Sequence, residues 1–278
     1  MKEEQEKKQD VIFYITRFDP EVDDGPHVEQ YTVKVINGMT VLDGLHQIKH
    51  EQDATLAWRF SCRMGVCGSC AMLINGRPML SCNTQILDVS DTALTLAPLP
   101  NFEVIRDLVP DLNPLFERHV AVQPYIQRDD KEEMDTPTGQ CFQSPHELET
   151  FLQFTYCIKC GCCMAACPTM ATDPGYLGPV ALAQAYRYNT DTRDGGFENR
   201  KKVVASAHGT FSCHYAGECS SVCPKGVDPA RAIQLMKKEL VLDYLKLKKK
   251  QKPRRIVAPY TGERKPPIEF PPFTVEQK

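Results

Sequence analysis

Apolar side chains fall in short runs near the start of this chain and at helical spacing further on. Residues 11–18 (Val-Ile-Phe-Tyr-Ile-Thr-Arg-Phe) and 28–36 are rich in β-branched and aromatic residues, with Asp23-Asp24-Gly25-Pro26 between them. That arrangement predicts a β-hairpin. Val41, Leu42, Leu45 and Ile48 then recur at i, i+3/i+4, which predicts an amphipathic helix over 40–51 with Thr40 as its N-cap. Asn75-Gly76 is the turn of a second predicted hairpin, between Ala71–Ile74 and Met79–Cys82. Residues 93–97 suit a last strand before Pro98 and Pro100. Two hairpins around one helix make a small α+β domain, residues 11–105, after a charged tail at 1–10.

Residues 106–143 form an irregular connector, with a short helix expected around 111–122 and an acidic stretch at 129–135. Residues 144–247 are expected to be all helical. Ser144-Pro145-His146-Glu147 combines a capping serine, a proline at N1 and a glutamate at N3. Gly178-Pro179 opens a helix through about Tyr188, and Asp228-Pro229 opens a long one through Leu245. The tail, 248–278, changes character: seven lysines or arginines lie in 246–255 and six prolines in 253–272. It reads either as a solvated, disordered end or as a basic segment that touches anionic lipid headgroups or a partner subunit.

A chain of 278 residues suggests one or two domains, and 42% apolar residues is ordinary for a globular protein. Net charge −3 gives no pull toward nucleic acid. The first ten residues lack the apolar core of an export signal and the Arg- and Ser-rich character of a transit peptide. Nothing approaches 18 consecutive apolar residues, so no bilayer span is expected. Thirteen cysteines, an odd count without a secretory signal, point to metal rather than to disulfides, and no disulfide partner is expected.

Their spacing sharpens that reading. Cys62-x4-Cys67-x2-Cys70, with Cys82 following, is the plant-type [2Fe–2S] spacing. The first three lie on the loop between helix and second hairpin, where backbone amides can donate to sulfur. Cys157-x2-Cys160-x2-Cys163-x3-Cys167-Pro168 is the bacterial two-cluster run, whose fourth cysteine serves the other cluster. It returns 56 residues later as Cys213-x2-Ala216-x2-Cys219-x3-Cys223-Pro224. Exchanging the fourth cysteines assigns Cys157, Cys160, Cys163 and Cys223 to a [4Fe–4S] cluster. Cys167, Cys213 and Cys219 remain, with Ala216 facing the fourth corner, which predicts a [3Fe–4S] cluster. Water or hydroxide holding a fourth iron there is the alternative. Zinc is the other occupant that thiolate tetrads accept. Cys162 reads as a packed small residue and Cys141 as a lone thiol. Chemistry alone assigns no role to His208, Trp58 or Lys225.

Ser61-Cys62-Arg63-Met64-Gly65-Val66-Cys67-Gly68-Ser69-Cys70, Cys157-Ile158-Lys159-Cys160 and Cys219-Ser220-Ser221-Val222-Cys223-Pro224-Lys225-Gly226 resemble the iron–sulfur subunits of succinate dehydrogenase and fumarate reductase. So do residues 17–21 and Arg187-Tyr188-Asn189-Thr190-Asp191-Thr192-Arg193-Asp194. The resemblance covers roughly residues 11–245. It implies a β-grasp [2Fe–2S] domain followed by a helical ferredoxin-like domain, with no catalytic residue for succinate on this chain. It further implies a flavoprotein partner carrying FAD and the dicarboxylate site. A transmembrane anchor would bind quinone and often haem b. Electrons would pass from FAD through the three clusters to quinone, or in reverse during fumarate reduction. The chain lacks G-x-G-x-x-G and a membrane span, in keeping with both ends of the reaction lying elsewhere. Pro168 and His214 match positions that border quinone in the family. Ubiquinone-using members usually carry a tryptophan shortly after the first Cys-Pro, where this chain has Thr169, Met170, Ala171 and Thr172. That departure puts ubiquinone in question and favours menaquinone. The expected location is peripheral, on the cytoplasmic side of a prokaryotic inner membrane. Two other classes are a subunit linked to thiol or other acceptors and a non-catalytic redox-sensing module. Neither suits Ala216 and three distinct clusters in series.

Overall fold

The computed structural model describes residues 9–128, 140–248 and 254–256. The first ordered unit is a five-stranded sheet around one helix. Strands β1 (Gln9–Arg17) and β2 (His27–Val35) pair antiparallel in register from Gln9↔Val35 to Arg17↔His27. β1 thus begins inside the segment expected to be a charged tail. Helix α1 (Val41–Glu51) is capped as its sequence predicts: Thr40 Oγ1 accepts from the Asp43 N–H, and the Asp43 carboxylate accepts from the Thr40 N–H. β3 (Ala71–Ile74) and β4 (Arg77–Leu80) are joined by Asn75-Gly76, both with positive φ, +48° and +75°. That two-residue turn pairs Ile74 with Arg77, so β4 starts and ends two residues earlier than expected. Cys82 therefore sits in a short 3₁₀ turn, Ser81–Asn83, rather than on a strand.

After the single turn α2 (Ile86–Val89), β5 (Ala93–Ala97) enters the middle of the sheet, parallel to β1 and antiparallel to β3. The order β2-β1-β5-β3-β4, with α1 packed on one face, is the β-grasp arrangement. β6 (Val104–Arg106) and β7 (Val109–Pro110) form a small hairpin that stays with this unit. Leu108 is buried in the sheet's core and Asp107 is buried beneath it, so the first domain reaches past residue 105. Helix α3 (Asn113–Ala121) follows in the connector.

The second unit begins with the strand β8 (Gln140–Phe142) and α4 (Pro145–Glu149), whose Ser144/Glu147 capping box is formed. The remaining helices are α5 (Leu152–Thr155), α6 (Cys162–Ala165), α7 (Pro168–Thr172), α8 (Gly178–Thr190), α9 (Phe197–Val204), α10 (Glu218–Ser221) and α11 (Pro229–Tyr244). α8 is buried on almost all sides and packs against α3, α5 and α11. β9 (Arg254–Ile256) pairs with β8, so part of the basic tail adds to a short ribbon. The N-terminal eight residues, the acidic stretch and the rest of the tail lie outside the described residues.

Two buried arginines tie segments together across long stretches of sequence. Arg17 bonds Asp107 (3.0 Å) and Glu29 (2.7 Å), and reaches Asp53 and the Tyr31 hydroxyl. Arg200 is completely buried in a two-bond pairing with Asp194 (2.6 and 2.8 Å), and also donates to Asn189 Oδ1 and to the carbonyls of Gln123 and Tyr125. Asp191, buried in the same stretch, holds Arg193. The segment 187–194 that carries part of the family resemblance thus welds the connector to α8 and α9.

Removing one member of such a buried ion pair strands its partners, at a cost of about 3–5 kcal/mol. Arg17→Met is expected to lower the stability of the first domain by that order, read as an earlier denaturant midpoint for loss of the visible cluster absorbance. The same network makes the domain acid-sensitive. Tyr31 and His27 hold the Glu29 carboxyl below its ordinary range; burial opposes ionisation of Asp53, but Thr55, Tyr31 and Arg17 hold it lower still. Carboxyls depressed on folding stabilise fully above their unfolded values and lose that contribution as pH falls through the folded ones. A denaturant midpoint that declines below about pH 4 in the native chain, and less so in Arg17→Met, is the expected result.

Candidate iron–sulfur sites

The first site is a loop without regular structure, shaped by positive φ at Arg63 (+56°), Gly65 (+69°) and Gly68 (+76°). These turns aim consecutive amides at sulfur. The N–H groups of Met64, Val66 and Cys67 point at Cys62 Sγ at 3.5, 3.3 and 3.3 Å. Gly65 N–H donates to Cys82 Sγ at 3.3 Å and Cys82 N–H to Cys70 Sγ at 3.5 Å. Those donors bring the Cys62 thiol down to about 6, while burial pushes Cys82 up to about 11. Thiolate is the ligating form of cysteine, and amide donors are what stabilise it. Cys67 is exposed and Cys62 half-buried, whereas Cys70 and Cys82 are buried.

The two later runs fold as copies of one another. Lys159 and Tyr215 have φ of +55° and +59°, and Gly161 and Gly217 have +86° and +81°. Each loop enters a four-residue helix, α6 or α10, and ends at Cys-Pro. Ala216 therefore occupies the backbone position that Cys160 occupies in the first copy. Cys157, Cys160, Cys163 and Cys223 line one cavity, closed by Ile158, Val180, Ala183 and Val227. Cys167, Cys213 and Cys219 line another, with Ala216, Thr169 and Tyr176 in its wall. The fourth cysteines are thus exchanged between the copies. Pro168 and Tyr215 also line the second of these cavities; His214 and Phe211 lie exposed within two residues of Cys213 along the chain.

Among the described residues no three cysteine, histidine or carboxylate side chains converge closely enough to hold a single metal ion. The cysteines of the two later runs stand around largely apolar cavities, a layout suited to a polynuclear cluster whose irons each take one thiolate. Burial pushes the thiols of Cys157, Cys163 and Cys219 up, the last to about 11, so they become thiolates only with metal to pair them. All thirteen cysteines are free of disulfides.

Several functional neighbours were invisible in the sequence. Lys225, given no role above, lines the four-cysteine cavity together with Lys159, and the two cations offset the negative charge that four thiolates bring. Cys162 is fully buried; its hydrogen bond to Cys160 pushes its own thiol well up and brings Cys160 down to about 7. Trp58 stacks beside Phe60, with His46 edge-on to both, next to the first cysteine loop. Above all, the first two sites touch. A Cβ on Gly68 would fall 2.8 Å from Cys160 Cβ, and one apolar cluster holds Cys70, Cys82, Cys160 and Cys162 together with Leu42, Leu99 and Val222.

Fold and sites together define an iron–sulfur protein with a ferredoxin-type sheet domain and a helical two-cluster domain. Residues 12–117 match the family model of the 2Fe-2S iron-sulfur cluster binding domain, and 153–227 that of the 4Fe-4S dicluster domain. A fumarate reductase iron-sulfur subunit of Mycobacterium tuberculosis is 44% identical over 82% of this chain and 91% of its own length. The mitochondrial succinate dehydrogenase [ubiquinone] iron-sulfur subunit of Candida glabrata is 38% identical over 83% of this chain and 91% of its own. A chain of the Mycobacterium smegmatis Sdh1 complex superposes with a TM-score of 0.75 at 26% identity, covering 86% of this chain and 98% of that one. The chain belongs to the family of iron–sulfur subunits of fumarate reductase and succinate dehydrogenase.

Gly68→Ala tests the contact between the first two sites. Its methyl has no room beside Cys160, and its φ of +76° disfavours any side chain. The variant is expected to retain less iron at the first two sites while keeping the three-cysteine site loaded, as read by iron and sulfide analysis with EPR. Full loading of all three would show that the loops separate without cost.

Proposed function

We propose that this chain is the electron-transfer subunit of a membrane-associated succinate:quinone oxidoreductase. Cys62, Cys67, Cys70 and Cys82 hold a [2Fe–2S] cluster, Cys157, Cys160, Cys163 and Cys223 a [4Fe–4S] cluster, and Cys167, Cys213 and Cys219 a [3Fe–4S] cluster. When bound, such clusters accept and release one electron at a time, at potentials set by their type, charge, hydrogen bonds and exposure. The chain's own residues supply the order. The observation that carries the reading is contiguity: Gly68 abuts Cys160, and the turn α6 leads from Cys163 in the second cavity to Cys167 in the third. Electron tunnelling falls steeply with distance, so three neighbouring sites, the last two packed against one apolar cluster, form a path. Ala216 removes the fourth thiolate from the last site without altering its backbone.

Both ends of this path open to the surface. Exposed Cys67, Met64 and Val66 suit a flavoprotein partner carrying FAD and the dicarboxylate site. Exposed Phe211, His214 and Tyr215 beside Pro168 suit a transmembrane anchor that binds quinone, with or without haem b. Among the described residues no helix is long and apolar enough to cross a membrane, so quinone would be reached through that anchor. This location is peripheral, on the cytoplasmic face of a prokaryotic membrane.

Quinol:fumarate reduction through the same path in reverse is the second reading. The lack of tryptophan after Cys167-Pro168 favours a menaquinone system, as does the 44% identity to a fumarate reductase subunit. Ala216→Cys tests the cluster assignment. EPR of the air-oxidised native complex is expected to show a three-iron signal, which this variant should lose as a four-iron signal appears on reduction. An unchanged three-iron signal in the variant would count against the assignment.

A further inference from the structure

Tyr176 is fully buried in the wall of the cavity that Cys167, Cys213 and Cys219 surround. Among the described residues its hydroxyl makes no hydrogen bond of proper geometry, although it shares the cavity wall with Cys213. A buried hydroxyl without a partner is destabilising. Phenylalanine would fill the same volume without that cost, so packing does not account for the oxygen.

The loop that carries Tyr176 is held tightly, so its aim is not an accident of a slack chain. Tyr176 N–H donates to the Asp173 carbonyl at 3.1 Å, and Gly175 N–H to Asp173 Oδ1 at 2.9 Å. His208 Nδ1 stands 2.9 Å from both oxygens of the Asp173 carboxylate, and the His208 carbonyl accepts from Leu177 N–H at 2.9 Å. Gly175 is needed for this approach, because a Cβ there would fall 2.8 Å from the His208 ring. His208 and Asp173 thus clamp the loop from both sides and turn the Tyr176 ring into the cavity.

We propose that the Tyr176 hydroxyl donates a hydrogen bond to a sulfur of the cluster in the three-cysteine cavity, and so raises the potential of the site next to quinone. This rests on the assignment of a cluster to that cavity. The acceptor is one that only the loaded protein contains, which accounts for an orphan donor in the bare chain. Donation to sulfur favours the reduced cluster, which carries one more negative charge.

The test is a redox titration of the cluster signals in the intact complex, native against Tyr176→Phe. Removing the donor is expected to lower the potential at this site alone. At a fixed poise the oxidised-to-reduced ratio should rise about threefold to tenfold, a tenfold change being about 59 mV for a one-electron couple. Replacing Tyr176 with a ring-fluorinated tyrosine, a stronger donor of the same shape, should move the potential the opposite way. Unmoved potentials in both forms would mean that the hydroxyl bonds elsewhere, to a trapped water for example, and would overturn the proposal. The three-iron assignment stands or falls separately, on the oxidised native spectrum. If that spectrum showed a four-iron cluster here, the same comparison in the reduced sample would still decide the role of Tyr176.

Discussion

The backbone of Gly68 passes so close to Cys160 that only hydrogen fits between them. Much of the architecture can be understood as holding that approach. The first loop must turn through positive φ at Arg63, Gly65 and Gly68 to bring four sulfurs together, and the same turns press its outer edge against the second loop. Behind the contact lies an apolar cluster with members from both domains, among them Leu42 on α1, Leu80 on β4, Leu99 before the connector and Val222 after α10. Arg77 adds a hydrogen bond from the β3–β4 turn to the Ser221 carbonyl at 3.0 Å. The two domains are folded separately around their own cores but meet across a shared one, and that shared core is made largely of the residues next to cysteine.

What could be read in advance was whatever depends on near neighbours. Each cysteine run is a local loop, so ligand spacing was legible directly, and the 56-residue offset between two runs made their exchange of fourth cysteines legible too. The same holds for the Thr40, Ser144 and Asp228 caps and the Asn75-Gly76 turn, which are decided within three or four residues. The parallel pairing of β1 with β5 was not legible, since nothing in either strand names a partner some 80 residues away. For the same reason the first domain was drawn to end at 105. The partner that keeps Asp107 inside it is Arg17, ninety residues earlier. The stretch 187–194 resembled the family for a reason its sequence does not disclose: Asn189 and Asp194 are there to bury Arg200.

The candidate site was legible as groups of cysteines and illegible as surroundings. Spacing marks which sulfurs gather, but potential depends on amide donors, cations and hydroxyls brought from distant segments. Lys225 and Lys159 come to one wall from positions 66 residues apart. Met64 and Val66 matter through their N–H groups, about which their side chains say nothing. Tyr176 is placed by a clamp whose halves, Asp173 and His208, lie on different elements.

The two cysteine copies offer an internal comparison that separates fold from chemistry. Their loops share φ values to within about 5°, their helices share a length, and both end in Cys-Pro. With the backbone held constant, the difference between the cavities comes down to side chains: a thiol against a methyl at 160 and 216, Lys159 against Tyr215, and no counterpart to Tyr176 in the four-cysteine wall. The second cavity offers a cluster three cysteines where the first offers four, and the Tyr176 hydroxyl adds a polar group to its wall. Exposed Tyr215 stands where half-buried Lys159 stands in the other copy. Duplication thus supplies two cavities of one backbone design, and a handful of substitutions around one of them sets their chemistry apart.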